Sequence, residues 1–132
     1  MGKIERRSRR SRNTSEALYL QLDACREDSK LEAIVLSDED GLCLAAAGER
    51  DTCDEIAANL PFVGAKAPNF EGVLFSPTKA WKVGVRRFEV LGTELYLCVA
   101  GGRDDNRDRE LSRSLGGVAR ILGQDPQFGL AA

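Results

Sequence analysis

The chain has 132 residues, of which 42% are hydrophobic and 30% charged, and its formal net charge is −2. This size suits one domain with a modest core, and no apolar run approaches the ~20 residues that a membrane-spanning helix needs. Because the sequence contains no histidine, it lacks the usual general base and the Ser-His and Cys-His pairs of nucleophilic catalysis. We therefore expect a soluble, cytoplasmic protein that is not an enzyme and needs no cofactor.

The N-terminus is a basic tail, in which six lysine and arginine residues stand against one glutamate over residues 3–12. Such a tail can bind nucleic acid, acidic lipid or an acidic protein surface. No aromatic residue is interleaved to stack on bases, which argues against nucleic acid as a partner. We expect residues 1–13 to be disordered, residues 14–123 to form the domain and residues 124–132 to be a flexible tail.

The four cysteines are widely separated, and none of them forms a Cys-x-x-Cys pair. A zinc site would require closer ligand spacing or help from histidine. We expect no metal site, and we expect the cysteines to be reduced thiols buried as small apolar side chains: Cys25, Cys43, Cys53 and Cys98.

Two elements are predicted before the first acidic cluster and one after it. Residues 13–30 have apolar residues at helical spacing behind a capping-box-like start, which predicts an amphipathic helix. Short apolar runs at 33–36 and 42–47 flank the sequence SDEDG. Consecutive acids before Gly41 favour a hairpin turn, because a Ca²⁺ or Mg²⁺ site needs further oxygen ligands and an EF-hand needs alternating ones.

A second helix is predicted from Thr52, where a capping-box pattern precedes apolar residues at helical spacing. Pro61 lies late in that pattern and is expected to kink or end the helix. The apolar sequence FEGVLFS at 70–76 then predicts a third strand.

The rest of the chain predicts a hairpin and a last helix. WKVGVRRFEV reads as a fourth strand, and a shift in its apolar phase suggests a β-bulge near Arg86 and Arg87. The sequence LYLCVAGG forms the fifth strand of the hairpin. Apolar residues at helical spacing between Leu111 and Leu122 predict the closing amphipathic helix.

The predicted element order is αββαβββα. Since hairpins dominate, we expect an α/β (α+β) domain with one five-stranded, mainly antiparallel sheet and helices on both faces. The first and last helices should pack together on one face. The second helix joins the second and third strands, which we expect at opposite edges of the sheet.

This order, the run EAIVLSDEDGLCLAAAG, the hairpin FEVLGTELYLCVAGG and the closing helix resemble the Roadblock/dynein light-chain domain family over roughly residues 15–123. Longin and profilin-like domains share much of this layout. The resemblance implies homodimers or heterodimers whose third strands pair and whose second helices meet. Bacterial members of this family are partners of a Ras-like GTPase that governs cell polarity and gliding. Eukaryotic relatives act as scaffolds.

By position, the resemblance implies a dimer interface on the third strand and the second helix. The strand residues are Val73, Leu74 and Phe75, and the helix residues are Ile56, Leu60 and Val63. An apolar edge strand exposes unpaired backbone groups and invites pairing with another chain. The same side chains also suit the protein's own core, so both interpretations stay open.

Five arginines form a candidate basic patch for a GTPase or a phosphate group: Arg86, Arg87, Arg109, Arg113 and Arg120. The alternative is a solvated face balanced by neighbouring acids, which contributes little binding energy. The sequence has no Gly-x-x-x-x-Gly-Lys-Ser/Thr loop, so the chain itself is not expected to bind nucleotide.

These features predict a bacterial-type homodimer that acts as a non-enzymatic, GTPase-activating or anchoring scaffold for a small Ras-like GTPase, with further scaffold proteins as partners. One alternative is a profilin-like sensor that holds a small molecule near Trp81 and Tyr96. A second alternative is an adaptor that binds nucleic acid or a membrane surface through the arginine-rich tail.

Overall fold

The computed structural model describes residues 12–125 and residue 128. The elements are α1 (Arg12–Asp28), β1 (Ala33–Asp38), β2 (Cys43–Ala47), α2 (Arg50–Lys66), β3 (Asn69–Phe75), β4 (Ala80–Val90), β5 (Thr93–Ala100) and α3 (Asp104–Gly123). This order confirms the predicted fold class. None of the described helices combines the length and the apolar character that crossing a membrane requires.

The five strands form one sheet in the order β2-β1-β5-β4-β3, and every neighbouring pair is antiparallel. The prediction that the second and third strands lie at opposite edges is therefore confirmed. β1 and β5 are central, and all six residues of β1 are buried. Burial on both faces explains why this strand is continuously apolar rather than alternating.

Helices cover both faces of the sheet. α1 and α3 pack together over one face, called here the helix-pair face, and α2 packs on the other, called the α2 face. Alternate residues of the strands point to opposite faces, so Ile34 joins the core of the helix-pair face and Val35 joins the core beneath α2. The domain thus has two cores that share one sheet.

The acidic sequence after β1 is a tight turn, as predicted. The Asp38 carboxylate accepts hydrogen bonds from the backbone N–H groups of Asp40 (2.9 Å) and Leu42 (3.0 Å). Gly41 has a φ of +82°, which glycine adopts without strain. Within residues 12–125, no group of three or more His, Cys, Asp or Glu side chains is placed to hold a metal ion.

The second helix does not end at Pro61. α2 continues through the proline to Lys66, so of the two outcomes predicted for Pro61, a kink or an end of the helix, the end is wrong. Proline removes one backbone hydrogen bond inside a helix, but the last turn is held against the sheet by Gly64, which packs on the ring of Tyr96. Tertiary packing therefore outweighs the local signal for a helix end.

The predicted bulge near Arg86 and Arg87 is also wrong. β4 pairs with β5 in continuous register through both arginines, and its regular pairing with β3 includes Arg86. The apolar phase changes because Val85 is buried beneath α2, whereas Phe88 packs against the core of the helix-pair face. A regular strand shows this pattern when the two faces are covered over different parts of its length.

The described chain extends slightly beyond the predicted domain boundaries. α1 begins at Arg12, and the Phe128 side chain packs against the core of the helix-pair face. The rest of the predicted basic tail, residues 1–11, lies outside the described residues.

Candidate interaction site on the third strand and second helix

β3 has an open edge. It lies at the end of the sheet and pairs with β4 along all seven of its residues, and no other described strand pairs with it. The backbone N–H and C=O groups on its outer side therefore have no strand partner among residues 12–125. Such an edge is a template for pairing with another chain.

The predicted interface residues of β3 divide between the two faces. Leu74 is buried beneath α2, where its register partner is Trp81. Val73 and Phe75 point to the helix-pair face and are 43% and 73% exposed. They are exposed because neither α1 nor α3 contacts β3.

The predicted interface residues of α2 lie in the core of the protein itself. Ile56 and Leu60 are 0% exposed, and Val63 is half-buried against the same core. Ile56 and Leu60 therefore offer no surface to a partner. The helix offers Phe62 instead, which is 72% exposed.

Phe62 lies outside the interface predicted for this helix, because that prediction used the buried helical positions alone. Phe62 is two residues from Leu60, about 200° around the helix, and so points away from the sheet. Phe62 is a large apolar residue out of phase with the buried stripe, and this pattern could have identified it from the sequence as an exposed apolar residue.

The outward face of α2 changes in charge along the helix axis. Asp51 and Asp54 are exposed near its N-terminus, the small residues Ala58 and Ala65 are exposed around Phe62, and the basic residue Lys66 ends the helix. The acidic end agrees with the positive N-terminal end of the helix dipole, and the lysine agrees with the negative C-terminal end.

A polar network attaches the end of α2 to the sheet. The Arg87 guanidinium donates to the Gly64 carbonyl (3.2 Å), and its Nε lies 3.7 Å from the Glu94 carboxylate. The Tyr96 hydroxyl donates to the same carboxylate at 3.0 Å. Burial, together with this hydrogen bond, raises the pKa of Tyr96 above its ordinary value. The network holds the last turn of α2, and with it the position of Phe62.

The candidate basic patch is not gathered in one place. Arg86 and Arg87 are neighbours on a regular strand, so they point to opposite faces of the sheet. Arg86 donates to the Asn69 side chain on β3 (3.0 Å), whereas Arg87 belongs to the network beneath α2. Arg120 is exposed on the last turns of α3.

The other two arginines of the patch join α3 to α1. Arg109 donates to the Ser29 hydroxyl (3.1 Å). Arg113 bonds Asp28 at 2.8 Å and Glu110 at 3.1 Å. Glu110 is buried, and a buried carboxylate requires this kind of partner. These two guanidinium groups therefore serve the packing of the helix pair.

The cysteines are core residues in the main. Cys25, Cys53 and Cys98 are buried, and Cys43 is half-buried. Burial raises the pKa of Cys53 to about 12 and raises that of Cys98 above its ordinary value. Because the thiolate is the nucleophilic form, these two thiols are unreactive at neutral pH.

The two aromatic residues named for a small-molecule pocket also lie in the core. Trp81 is 3% exposed and donates its indole N–H to Glu32 at 3.1 Å. Tyr96 is 4% exposed, and the backbone of Gly64 lies directly against its ring. Both side chains have packing and hydrogen-bonding roles within the fold.

Comparison with known proteins identifies the fold. No protein-family model matches the sequence, and no curated protein matches it. Among solved structures, Myxococcus xanthus MglB is similar with a TM-score of 0.55 and 13% identity, over 81% of this chain and 88% of that one. A structure described as MglB with tetrameric arrangement has a TM-score of 0.60 and 16% identity, over 90% and 93%.

A third similar structure is the gliding protein MglB from Thermus thermophilus, with a TM-score of 0.54 and 18% identity, over 82% of this chain and 90% of that one. At this level of identity, the likeness shows that the chain has the MglB fold. The resemblance drawn from the sequence is therefore confirmed at the level of the fold.

Proposed function

We propose that this protein is a dimeric, non-enzymatic regulator or scaffold that binds a small Ras-like GTPase. The open, apolar edge of β3 carries the proposal, because an unpaired strand edge is a template for pairing with a second copy. The fold shared with MglB, one example of which is a gliding protein, supports the GTPase as the partner. The resemblance to Roadblock proteins, whose bacterial members accompany a polarity GTPase, supports the same partner.

In the proposed dimer, β3 of one copy pairs antiparallel with β3 of the other, and the two five-stranded sheets become one. The resemblance to Roadblock proteins implies that the two α2 helices then meet on the α2 face. The Phe62 side chains then lie close to the seam, among the small residues around them.

The proposed action on the GTPase is selective binding. A partner shifts a two-state switch only by the difference between its affinities for the two states. A tenfold preference for the GTP-bound form corresponds to about 1.4 kcal/mol. The dimer supplies a rigid surface for this preference, and the catalytic groups stay with the GTPase.

The test measures mass and binding together. The full-length protein is analysed by light scattering and then titrated against Ras-like GTPases of its own genome, each loaded with a GTP analogue or with GDP. We expect a mass of two chains and tighter binding to the GTP-loaded form. Absence of binding in both states would overturn the GTPase role, and a monomer at all concentrations would overturn the dimer.

A pair of proline variants tests whether β3 is the dimer strand. Successive backbone N–H groups of a strand point to opposite edges. Of the two variants Gly72→Pro and Val73→Pro, one therefore removes an N–H directed at β4 and the other removes an N–H directed at the open edge. The variant that loses the inner N–H should be destabilised. The variant that loses the outer one should be a folded monomer, and a folded dimer in its place would contradict pairing through β3.

A further inference from the structure

Within residues 12–125, no helix covers the outer part of the sheet on the helix-pair face. α1 and α3 contact the other four strands between them, but neither of them contacts β3. Four exposed residues share this bare area, because Val73 is the register partner of Lys82 and Phe75 is the register partner of Ala80. We call these four residues the open sheet surface.

Dimerisation through β3 leaves the open sheet surface exposed. Strand pairing uses backbone groups in the plane of the sheet, whereas Val73 and Phe75 project perpendicular to that plane. Pairing therefore brings the open surfaces of two copies together and enlarges the exposed apolar area. Contiguous apolar areas of this kind mark interaction sites.

The width of this area in the dimer fits one helix. α3 contacts both β4 and β5, so its axis lies over these two strands. Across the β3–β3 seam, the two α3 axes are then separated by four strand spacings, or about 19 Å. Packed helices lie about 8–10 Å apart, so one helix fits between the two α3 helices. A β-sheet of a partner cannot reach the open sheet surface, because an α3 helix of about 10 Å diameter stands on each side of it.

The charged residues on and beside the open sheet surface indicate which kind of helix binds there. The ammonium group of Lys82 is exposed, and Arg86 is half-buried on the same face four residues further along β4, where it donates to the Asn69 side chain. Glu71 is the acidic residue of β3 on this face. The β3 and β4 strands of each copy therefore contribute two basic groups and one acidic group on this face, and the two-fold symmetry doubles this positive excess of the strands.

We propose that the open sheet surface of the dimer binds a single amphipathic helix of a partner protein, whose apolar stripe is flanked by acidic residues. This inference rests on the dimer of the proposed function. Because a symmetric site accepts one helix, the complex contains one helix for every two chains and is asymmetric.

The probe is a fluorescent peptide of about 18 residues, built from leucine, alanine and glutamate with the leucines at helical spacing. A permuted peptide of the same composition lacks the apolar stripe, and a third peptide has lysine in place of glutamate. Anisotropy with the full-length dimer should show saturation at one peptide for every two chains. The permuted peptide and the lysine peptide should bind at least about tenfold more weakly.

Variants of the floor separate this surface from general stickiness. The double substitution V73T/F75T places β-branched threonine, which suits a strand, at both positions and should weaken binding of the acidic peptide by about tenfold or more. The matched control is Leu20→Thr, at an apolar residue that is 64% exposed on α1, and it should change binding less than about twofold. K82E should weaken binding of the acidic peptide and strengthen binding of the lysine peptide.

The mass of each sample, measured by light scattering, distinguishes the two proposals. A dimer that binds no acidic peptide up to about 1 mM would overturn this inference and leave the dimer in place. A protein that stays monomeric would overturn the dimer. Equal binding of the permuted peptide, two peptides per dimer, or association into tetramers through Val73 and Phe75 would each refute the single partner helix.

Discussion

The contact between Gly64 and Tyr96 makes the packing of α2 testable. A Cβ added at Gly64 would lie 2.1 Å from Cε1 and 2.4 Å from Cδ1 of the tyrosine ring, whereas non-bonded carbon atoms prefer about 3.5–4.0 Å. The ring cannot swing into solvent, because Tyr96 is 4% exposed and its hydroxyl bonds Glu94. Gly64→Ala must therefore displace either the buried ring or the last turn of α2.

The expected loss follows from two opposing effects. Overpacking a filled site costs about 1–3 kcal/mol, while alanine in place of glycine inside a helix gains up to about 1 kcal/mol. Gly64→Ala should therefore lower the free energy of unfolding by about 1–2 kcal/mol. Gly116→Ala is the matched control, because Gly116 is exposed within α3 and an added Cβ meets no atom within 4 Å. It should raise that free energy by up to about 1 kcal/mol.

The assay is urea unfolding followed by circular dichroism, with all variants at one protein concentration because the proposed dimerisation would contribute to stability. The difference between the two alanine variants removes the helix-propensity gain and leaves the cost at Tyr96. A smaller ring-site residue should relieve the clash, so G64A/Y96L should cost less than the sum of its single changes. Equal stability of G64A and G116A would refute the reasoning.

Three further predictions concern other buried groups. Arg107 is 4% exposed and donates to the carbonyls of Gly101 and Gly102; R107M leaves both acceptors unpaired and should cost about 2–3 kcal/mol in urea unfolding, and an unchanged midpoint would contradict this. At a pH of about 8, a thiol reagent should rapidly modify Cys43 alone in the native protein and all four cysteines in denaturant; a native fast phase that survives C43S would show another accessible thiol. The raised pKa of Tyr96 means that its hydroxyl holds its proton more firmly in the folded state than in the unfolded state, so the stabilisation from this group is present below its ordinary pKa of about 10 and is lost as pH rises further. Y96F should therefore reduce the loss of stability above that pH. Identical profiles of stability against pH for Y96F and the unchanged protein would contradict this.

Local patterns were enough to predict the elements, their order along the chain and the separation of the second and third strands. Hairpins join β1 to β2 and β4 to β5 over short connections, and such connections allow only antiparallel neighbours. The long α2 crossover then places the second and third strands apart. The turn at Asp38 was predictable for the same reason, because its hydrogen bonds lie within a few residues of the chain.

Only the tertiary structure decided which apolar residues are surface. Ile56 and Leu60 share the helical phase of a core stripe, and that phase is the same for a stripe that faces the sheet and for one that faces a partner. The coverage of each strand is likewise not local. β3 is bare on one face because α3 lies over β4 and β5, so Val73 and Phe75 are exposed while Leu74 is buried.

The position at which α2 ends is also decided by a distant contact. Pro61 is a local signal for ending a helix, and the contact of Gly64 with Tyr96 comes from a strand more than thirty residues later. The sequence by itself determined the elements, their order and the turns, since these depend on spacing and on nearby hydrogen bonds. The tertiary structure determined where helices end, which face is covered and which edge is open, since these depend on contacts between distant parts of the chain.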